Sequence, residues 1–265
     1  MNRPAQQRGF GVAAGLPAEV CGPLATTCEE SGYAAIFAND HPGAKGLETL
    51  AEFAKVTDSI GLGVGVIALD RQSPAEIAAD IDRLGLDPAR LSIGLGAGFS
   101  EKPLTTMREM LPVIREELGG IRTVMAAMGP KMCALAGAEY DGAFFNWMTA
   151  GFAASARENV EAGAGEAGRE TPPVFGYVRT AIGDDAETRL AKEESFYRDL
   201  HQGYRSHFER LGEPEGTVGV AAPDPEAAQR ELATYIALDV LVVRGLASAK
   251  VEPMCELARQ AAPPA

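Results

Sequence analysis

Short apolar runs alternate with amphipathic segments from one end of this 265-residue chain to the other, and a chain built that way has few ways to bury its faces. Residues 8–14 read as a small apolar strand, and Pro17 then opens a helix that runs to Ser31 and stops at Gly32. Residues 34–39 (AAIFAN) form a second strand and 48–59 a second helix. The β-branched, glycine-spaced run GLGVGVIAL from Gly61 is a third strand. Ser73-Pro74 starts the next helix, the hydroxyl as cap and the proline in the first turn. Ile77, Ile81 and Leu84 give that helix one apolar face.

Asp87-Pro88 turns the chain into a fourth strand at 91–95, followed by a helix at 103–118. A fifth strand spans 122–126. The turn Gly129-Pro130 opens a short helix at 131–138, and a sixth strand at 140–145 ends in Asn146-Trp147. A helix at 149–163 and a seventh strand at 173–180 come next. Residues 186–211 are helical in two pieces, and Asp224-Pro225 starts a helix to Ala237. The eighth strand is 239–243 (DVLVV), with a closing helix at 251–261. Eight buried strands with intervening helices predict an α/β fold of the (β/α)8 TIM-barrel type, one domain over residues 1–265. A doubly wound sheet would use fewer units.

Charge and composition remove whole classes of function. A net charge of −13 opposes nucleic acid, whose phosphates demand clustered Lys and Arg, and opposes anionic membrane surfaces. No apolar run reaches the ~20 residues of a membrane span, and the N-terminus lacks the order of a signal peptide, so a cytoplasmic protein is expected. Cys21, Cys28, Cys133 and Cys255 form no CxxC pair and no Cys/His cluster. They are expected reduced and mostly buried, with no disulfide and no metal. Walker A, GxSxG and HExxH motifs are missing, and paired carboxylates such as Glu193-Glu194 fall in helical charge runs, where a solvated face is expected. The same expectation covers His201 and His207 on the stretch RDLHQGYRSHFER.

A barrel of this type carries its chemistry just past the C-terminal strand ends. Those positions hold residues 13–15, Asn39-Asp40-His41, residues 67–70, 96–101 and 127–130, Asn146-Trp147, Arg179-Thr180 and Arg244. His41 is the reactive candidate, because an imidazole titrates near neutrality and can move a proton or donate a hydrogen bond. It can equally serve only to tie down its loop. Gly63, Gly65, Gly94, Gly96 and Gly98 leave bare backbone against which a flat ring can lie, or else reflect tight packing on the strands. GLGAG is not the GxGxxG dinucleotide fingerprint. Arg179 and Arg244 are candidates for an anionic group or for a salt bridge.

The pieces AAIFANDHP, IGLGVGVIAL, DPARLSIGLGAG and MGPKMCALAGAEYDGAFFNW together resemble the luciferase-like superfamily of flavin- and deazaflavin-dependent oxidoreductases. The resemblance implies a barrel holding an isoalloxazine-type ring of FMN or coenzyme F-420 at the strand ends, and a small-molecule substrate. Asn39, Asp40 and His41 would face the reaction. Gly65, Val66 and Ile67 would form a bulge backing the ring, where the family often has a cis peptide. Gly96, Gly98, Gly129, Pro130, Asn146, Trp147 and Arg179 would meet the cofactor. A homodimer is implied as well. Where the family often has a Gly-Thr-Pro-like phosphate turn, this chain reads Ala221-Ala222-Pro223-Asp224-Pro225, which leaves a cofactor-free binding or structural barrel as the rival reading.

Overall fold

A computed structural model of the chain describes residues 5–264. Its strands, all parallel, are β1 (Gln7–Ala13), β2 (Ala35–Asn39), β3 (Gly61–Ala68), β4 (Leu91–Gly96), β5 (Arg122–Ala126), β6 (Ala143–Phe145), β7 (Val174–Ile182), β8 (Val220–Ala222) and β9 (Val240–Gly245). Eight of them close a ring: β1 to β7 pair in succession, and β9 completes the circle between β7 and β1. This is the expected (β/α)8 barrel. β8 lies outside the ring, paired only with Thr180, Ala181 and Ile182 at the far end of β7.

Ten helices among the described residues surround or cap the ring: α1 (Ala18–Glu30), α2 (Gly46–Ala54), α3 (Pro74–Leu84), α4 (Pro103–Glu117), α5 (Pro130–Glu139), α6 (Ala150–Glu166), α7 (Ala186–Leu200), α8 (Gln202–Leu211), α9 (Pro225–Leu232) and α10 (Val251–Gln260). α3 shows why the boundaries hold. Ser73 Oγ accepts from Glu76 N at 3.3 Å while Glu76 Oε2 accepts from Ser73 N at 2.8 Å, a closed capping box. Gly85 ends the helix in the left-handed region at φ 64°. Ile77 and Ile81 are buried, each burial favourable by roughly 1.5–3 kcal/mol.

Inside the ring, alternate residues of each strand point to the axis. The interior cluster is aromatic, with Phe37, Phe144, Phe175 and Tyr177 packed on Val124, Val240 and Val242. Such bulk fits only because the facing strands are bare. A Cβ at Gly63 would lie 2.1 Å from the Phe37 ring, and one at Gly11 would lie 2.6 Å from Tyr177. The glycine spacing of β3 therefore serves packing first. The opposite strand faces, with Ile36, Leu62, Ile93, Leu241 and Val243, join the helices in the main core.

Several boundaries differ from expectation. α2 stops at Ala54 because residues 55–60 form a loop whose carbonyls at Thr57 and Ile60 bind the Arg90 guanidinium at 2.8–3.0 Å. β6 starts only at Ala143, since the Asp141 carboxylate accepts from Thr123 N and Oγ1 (2.9 and 3.1 Å) and pulls that turn off the ladder. α9 ends at Leu232, five residues short of Ala237, and β7 runs on to Ile182, where it acquires β8.

Candidate active site

The C-terminal mouth is best described by the last inward-facing residue of each ring strand. Strand alternation and register place Ala13, Asn39, Val66, Gly96, Ala126, Asn146, Arg179 and Arg244 there. One half of this rim is small: a Cβ at Gly96 would meet Val66 at 3.2 Å and Ala126 at 3.4 Å. The other half is polar. Half-buried Ala13, Asn39, Val66, Ala126 and Asn146 face the opening, while Arg179 and Arg244 are buried under α7 and α8.

Six buried side-chain atoms among the described residues lack a hydrogen-bond partner, and they gather at this end: Asn39 Oδ1, Trp147 Nε1, Tyr177 OH, and the Nε atoms of Arg179, Arg189 and Arg244. Buried polar groups in folded proteins are nearly always satisfied, so a cluster of orphans marks a place prepared for another molecule. A cleft of about 430 Å3 opens at the opposite end of the barrel, lined by Gln7, Ser92, Arg122 and Phe175 among others, but none of its lining residues carries such an orphan.

The β2 end is tied within its own loops. His41 Nδ1 accepts from Gly43 N at 3.1 Å, which leaves Nε2 to donate to Ala14 O at 3.2 Å. Asp40 accepts from Arg71 Nη2 at 2.5 Å and from Gly46 N, at the start of α2, at 3.0 Å. Of this trio only Asn39 presents an unused acceptor. At the β3 end the register with β4 shifts between Val64 and Ile67, and the Gly65–Val66 peptide is cis. Val66 faces the interior, whereas the Ile67 side chain belongs to the helix-facing core.

The glycines past β4 and β5 have different reasons. Gly98, at φ 62°, makes room for Asp70, whose Oδ1 would lie 1.9 Å from a Cβ there, and Asp70 Oδ2 accepts from Phe99 N at 2.9 Å. Nothing stands within 4 Å of a Cβ built on Gly129, which precedes Pro130 at an α5 start without a side-chain cap. That backbone is open to approach.

The β6 and β7 ends form the densest part. Trp147 is buried in the left-handed region at φ 52°, a strained conformation for a bulky residue. His207 Nε2 donates to its carbonyl at 2.6 Å, and Arg210 donates to His207 Nδ1 at 3.1 Å. The Arg179 guanidinium lies 4.0 Å from the centre of the Trp147 ring and 5.0 Å from that of Tyr197, and it donates to Asn146 Oδ1. Burial lowers the Arg179 pKa and pushes the Tyr204 phenol up to about 12. Burial also pulls His207 down to about 4, so it stays neutral at neutral pH.

His207 is thus not solvated as the charge-rich sequence around it suggests, and neither is Glu194. Fully buried, Glu194 accepts from Arg198 (2.6 and 2.9 Å) and from Val218 N at 3.0 Å. The signal was helical spacing. Tyr204, His207, Phe208 and Leu211 repeat at three and four residues, as do Leu190, Glu194 and Tyr197, so both polar residues lie on apolar faces. The expected turn at Ala221–Pro225 is the end of β8 and the start of α9, where Asp224 Oδ1 accepts from Ala227 N at 2.8 Å as the helix cap. All four cysteines are free and buried.

Known proteins share this architecture. A family model described as luciferase-like monooxygenase matches residues 105–242. A 5,10-methylenetetrahydromethanopterin reductase of Methanolobus tindarius is 29% identical over 203 residues, covering 63% of this chain and 62% of that protein. The reductase of the same name from Archaeoglobus fulgidus is 29% identical over 53% of each. The chain thus spans less than two thirds of the length of the curated relatives it matches. In fold it is similar to the coenzyme F-420 dependent tetrahydromethanopterin reductase from Methanopyrus kandleri (TM-score 0.73, 19% identity, 97% of this chain and 98% of that one). An F-420-dependent secondary alcohol dehydrogenase is similar too, with a TM-score of 0.76 at 14% identity over 96% and 97% of the two chains. With more than half of its length matched by the family model and a closed barrel of the same build, the chain belongs to the luciferase-like monooxygenase family.

Proposed function

We propose that this protein is an oxidoreductase, a single barrel domain that holds the flavin-type ring of FMN or coenzyme F-420 at its C-terminal mouth and acts on a small organic substrate. The observation that carries the reading is the mouth itself: a half-rim of small residues facing a half-rim of unpaired buried polar atoms. A flat, mainly apolar ring with polar edges fits that division. The relatives named for F-420-dependent reductase and dehydrogenase activities support it.

In this reading the bulge at Gly65, Val66 and Ile67 backs the ring, and Gly96 lets it lie against β4. Gly98 shapes the neighbouring turn. Gly129 and Pro130 flank the cofactor where α5 begins. Asn39 Oδ1, Asn146 and Trp147 Nε1 supply hydrogen bonds to ring or substrate, and Arg179 supplies positive charge. When bound, such a ring supplies two-electron redox chemistry, with O2 in the case of reduced FMN or by hydride transfer in the case of the deazaflavin. Asp40 and His41 hold the β1 and β2 loops in place beside it, with the His41 proton on Nε2. The reading also makes the protein a cytoplasmic homodimer, and a monomer mass by light scattering would remove that part.

One observation favours the rival, a barrel without a cofactor. The Asp224 carboxylate occupies the α9 N-terminus that a phosphate would otherwise use. Titration of the purified protein with FMN and with F-420, followed by visible absorption, separates the two. Saturable binding of either supports the oxidoreductase, and binding of neither leaves the rival.

A further inference from the structure

Arg179 and Arg244 are direct partners in the β7–β9 register. Both project from the last inward layer of the barrel, and they are only 2% and 6% exposed. Two guanidiniums so placed repel each other and have lost most of their water. The compensation around them is thin. Arg179 donates to the neutral amide of Asn146, and Arg244 Nη1 to the carbonyl of Gly245 at 3.0 Å. Among the described residues, the one ion pair of either is Arg244 Nη2 with Glu193 Oε1, at 4.0 Å, the outer limit of such a contact. Both Nε atoms are buried without a partner. The mouth therefore carries excess positive charge inside a chain whose net charge is −13.

We propose that Arg179 and Arg244 form a binding site for one carboxylate of the substrate, with Glu193 as its stand-in when no substrate is bound. This rests on the reading of the mouth as an oxidoreductase site and names the substrate class for it: a small planar or apolar organic acid. A carboxylate matches the fork of a guanidinium and can accept from two at once. Half-buried Tyr197, its ring centre 5.0 Å from the Arg179 guanidinium, offers an aromatic face to the rest of the molecule, and the buried Trp147 ring packs on the same guanidinium at 4.0 Å. Glu193 comes from α7, which covers the mouth, and it is partly exposed, so it can leave while the strand-borne arginines stay. A cofactor's phosphate tail presents related chemistry, and the experiment must separate the two sources.

Trp147 is the only tryptophan in the chain, so its emission reports on this site. Benzoate serves as the probe, benzamide as its neutral isostere, and inorganic phosphate as the tail mimic. Benzoate is expected to change the emission saturably while benzamide and phosphate do not. Arg244→Gln should weaken benzoate by roughly tenfold or more. Glu193→Gln should tighten it, because the internal competitor is gone, an effect that a merely structural Glu193 would not produce. If Arg244→Gln does not fold, the benzoate–benzamide contrast on the unaltered protein and the Glu193→Gln shift still decide. Equal binding of benzoate and benzamide, or silence from both, overturns the proposal. So does phosphate binding that Arg244→Gln abolishes together with FMN or F-420 binding, which would give the arginines to the cofactor tail. Benzoate binding by a protein that takes up neither FMN nor F-420 keeps the carboxylate site and removes the oxidoreductase reading on its own.

Discussion

The ring of His207 holds the backbone of Trp147 in place: Nε2 donates to the Trp147 carbonyl at 2.6 Å, across sixty residues of chain, and fixes the left-handed turn on which the β6 end depends. The bond joins α8 to the ring of strands. It also needs a neutral imidazole, because Nδ1 must accept from Arg210.

Acid should therefore loosen this end of the barrel. The folded-state pKa of His207 is depressed to about 4 from an ordinary value near 6.5. Between those values the unfolded chain binds the proton and the folded one does not, so stability falls as the pH drops through that window. The loss from this residue is at most ~3 kcal/mol. His207→Gln keeps a donor for Trp147 O without the titration. The urea midpoint should fall less between neutral pH and about pH 4 for the variant than for the parent, and an equal fall in both would remove His207 as the cause.

His41 is expected to act as a loop tie. Both ring nitrogens are engaged, with Ala14 O and Gly43 N. His41→Gln, which retains an N–H for Ala14, should keep turnover within a few-fold, whereas a proton-transfer role would cost both His41→Gln and His41→Ala ~100-fold or more. Steady-state kinetics on the two variants distinguishes the cases.

FMN should bind weakly, in the micromolar range or worse, about −8 kcal/mol or less favourable. The Asp224 carboxylate takes the Ala227 N–H and repels a phosphate, and prolines remove two further donors at the same turn. Asp224→Ser keeps a cap and removes the charge, so calorimetry should show tighter FMN binding by this variant. Nanomolar affinity in the parent would refute the argument.

Gly63→Ala should destabilise the barrel by about 1–3 kcal/mol, since its methyl group would stand 2.1 Å from the Phe37 ring. Combining it with Phe37→Leu should recover part of that loss. Denaturant midpoints of the two single variants and the double variant measure the coupling.

Much of the fold was legible because strand and helix periods differ and because Ser73-Pro74, Gly85 and Gly129-Pro130 punctuate them. β8 was not, since three residues paired along one edge leave no period to read. Position after a strand is enough to put Asn39, Asn146, Trp147, Arg179 and Arg244 at one end of the barrel. It did not reveal which polar atoms remain unpaired, because His41 and Asp40 are satisfied by loop backbone and by Arg71, contacts that no spacing encodes. His207 and Glu194 were hidden by their charged neighbours, although their helical phase placed them inward.

The extension of β7 beyond the ring, which carries β8, separates two jobs that share one stretch of chain. Closure of the barrel needs β7 only as far as its pairing with β9, through Thr180, and the chain past that point hangs from the β8 ladder and from Glu194. The segment bearing Glu193, Tyr197 and Tyr204 is in effect an appendage with its own foundation. Changes on its outer side can alter what the mouth admits while the staves that keep the vessel shut stay in place, provided that the tie from His207 to Trp147 is kept.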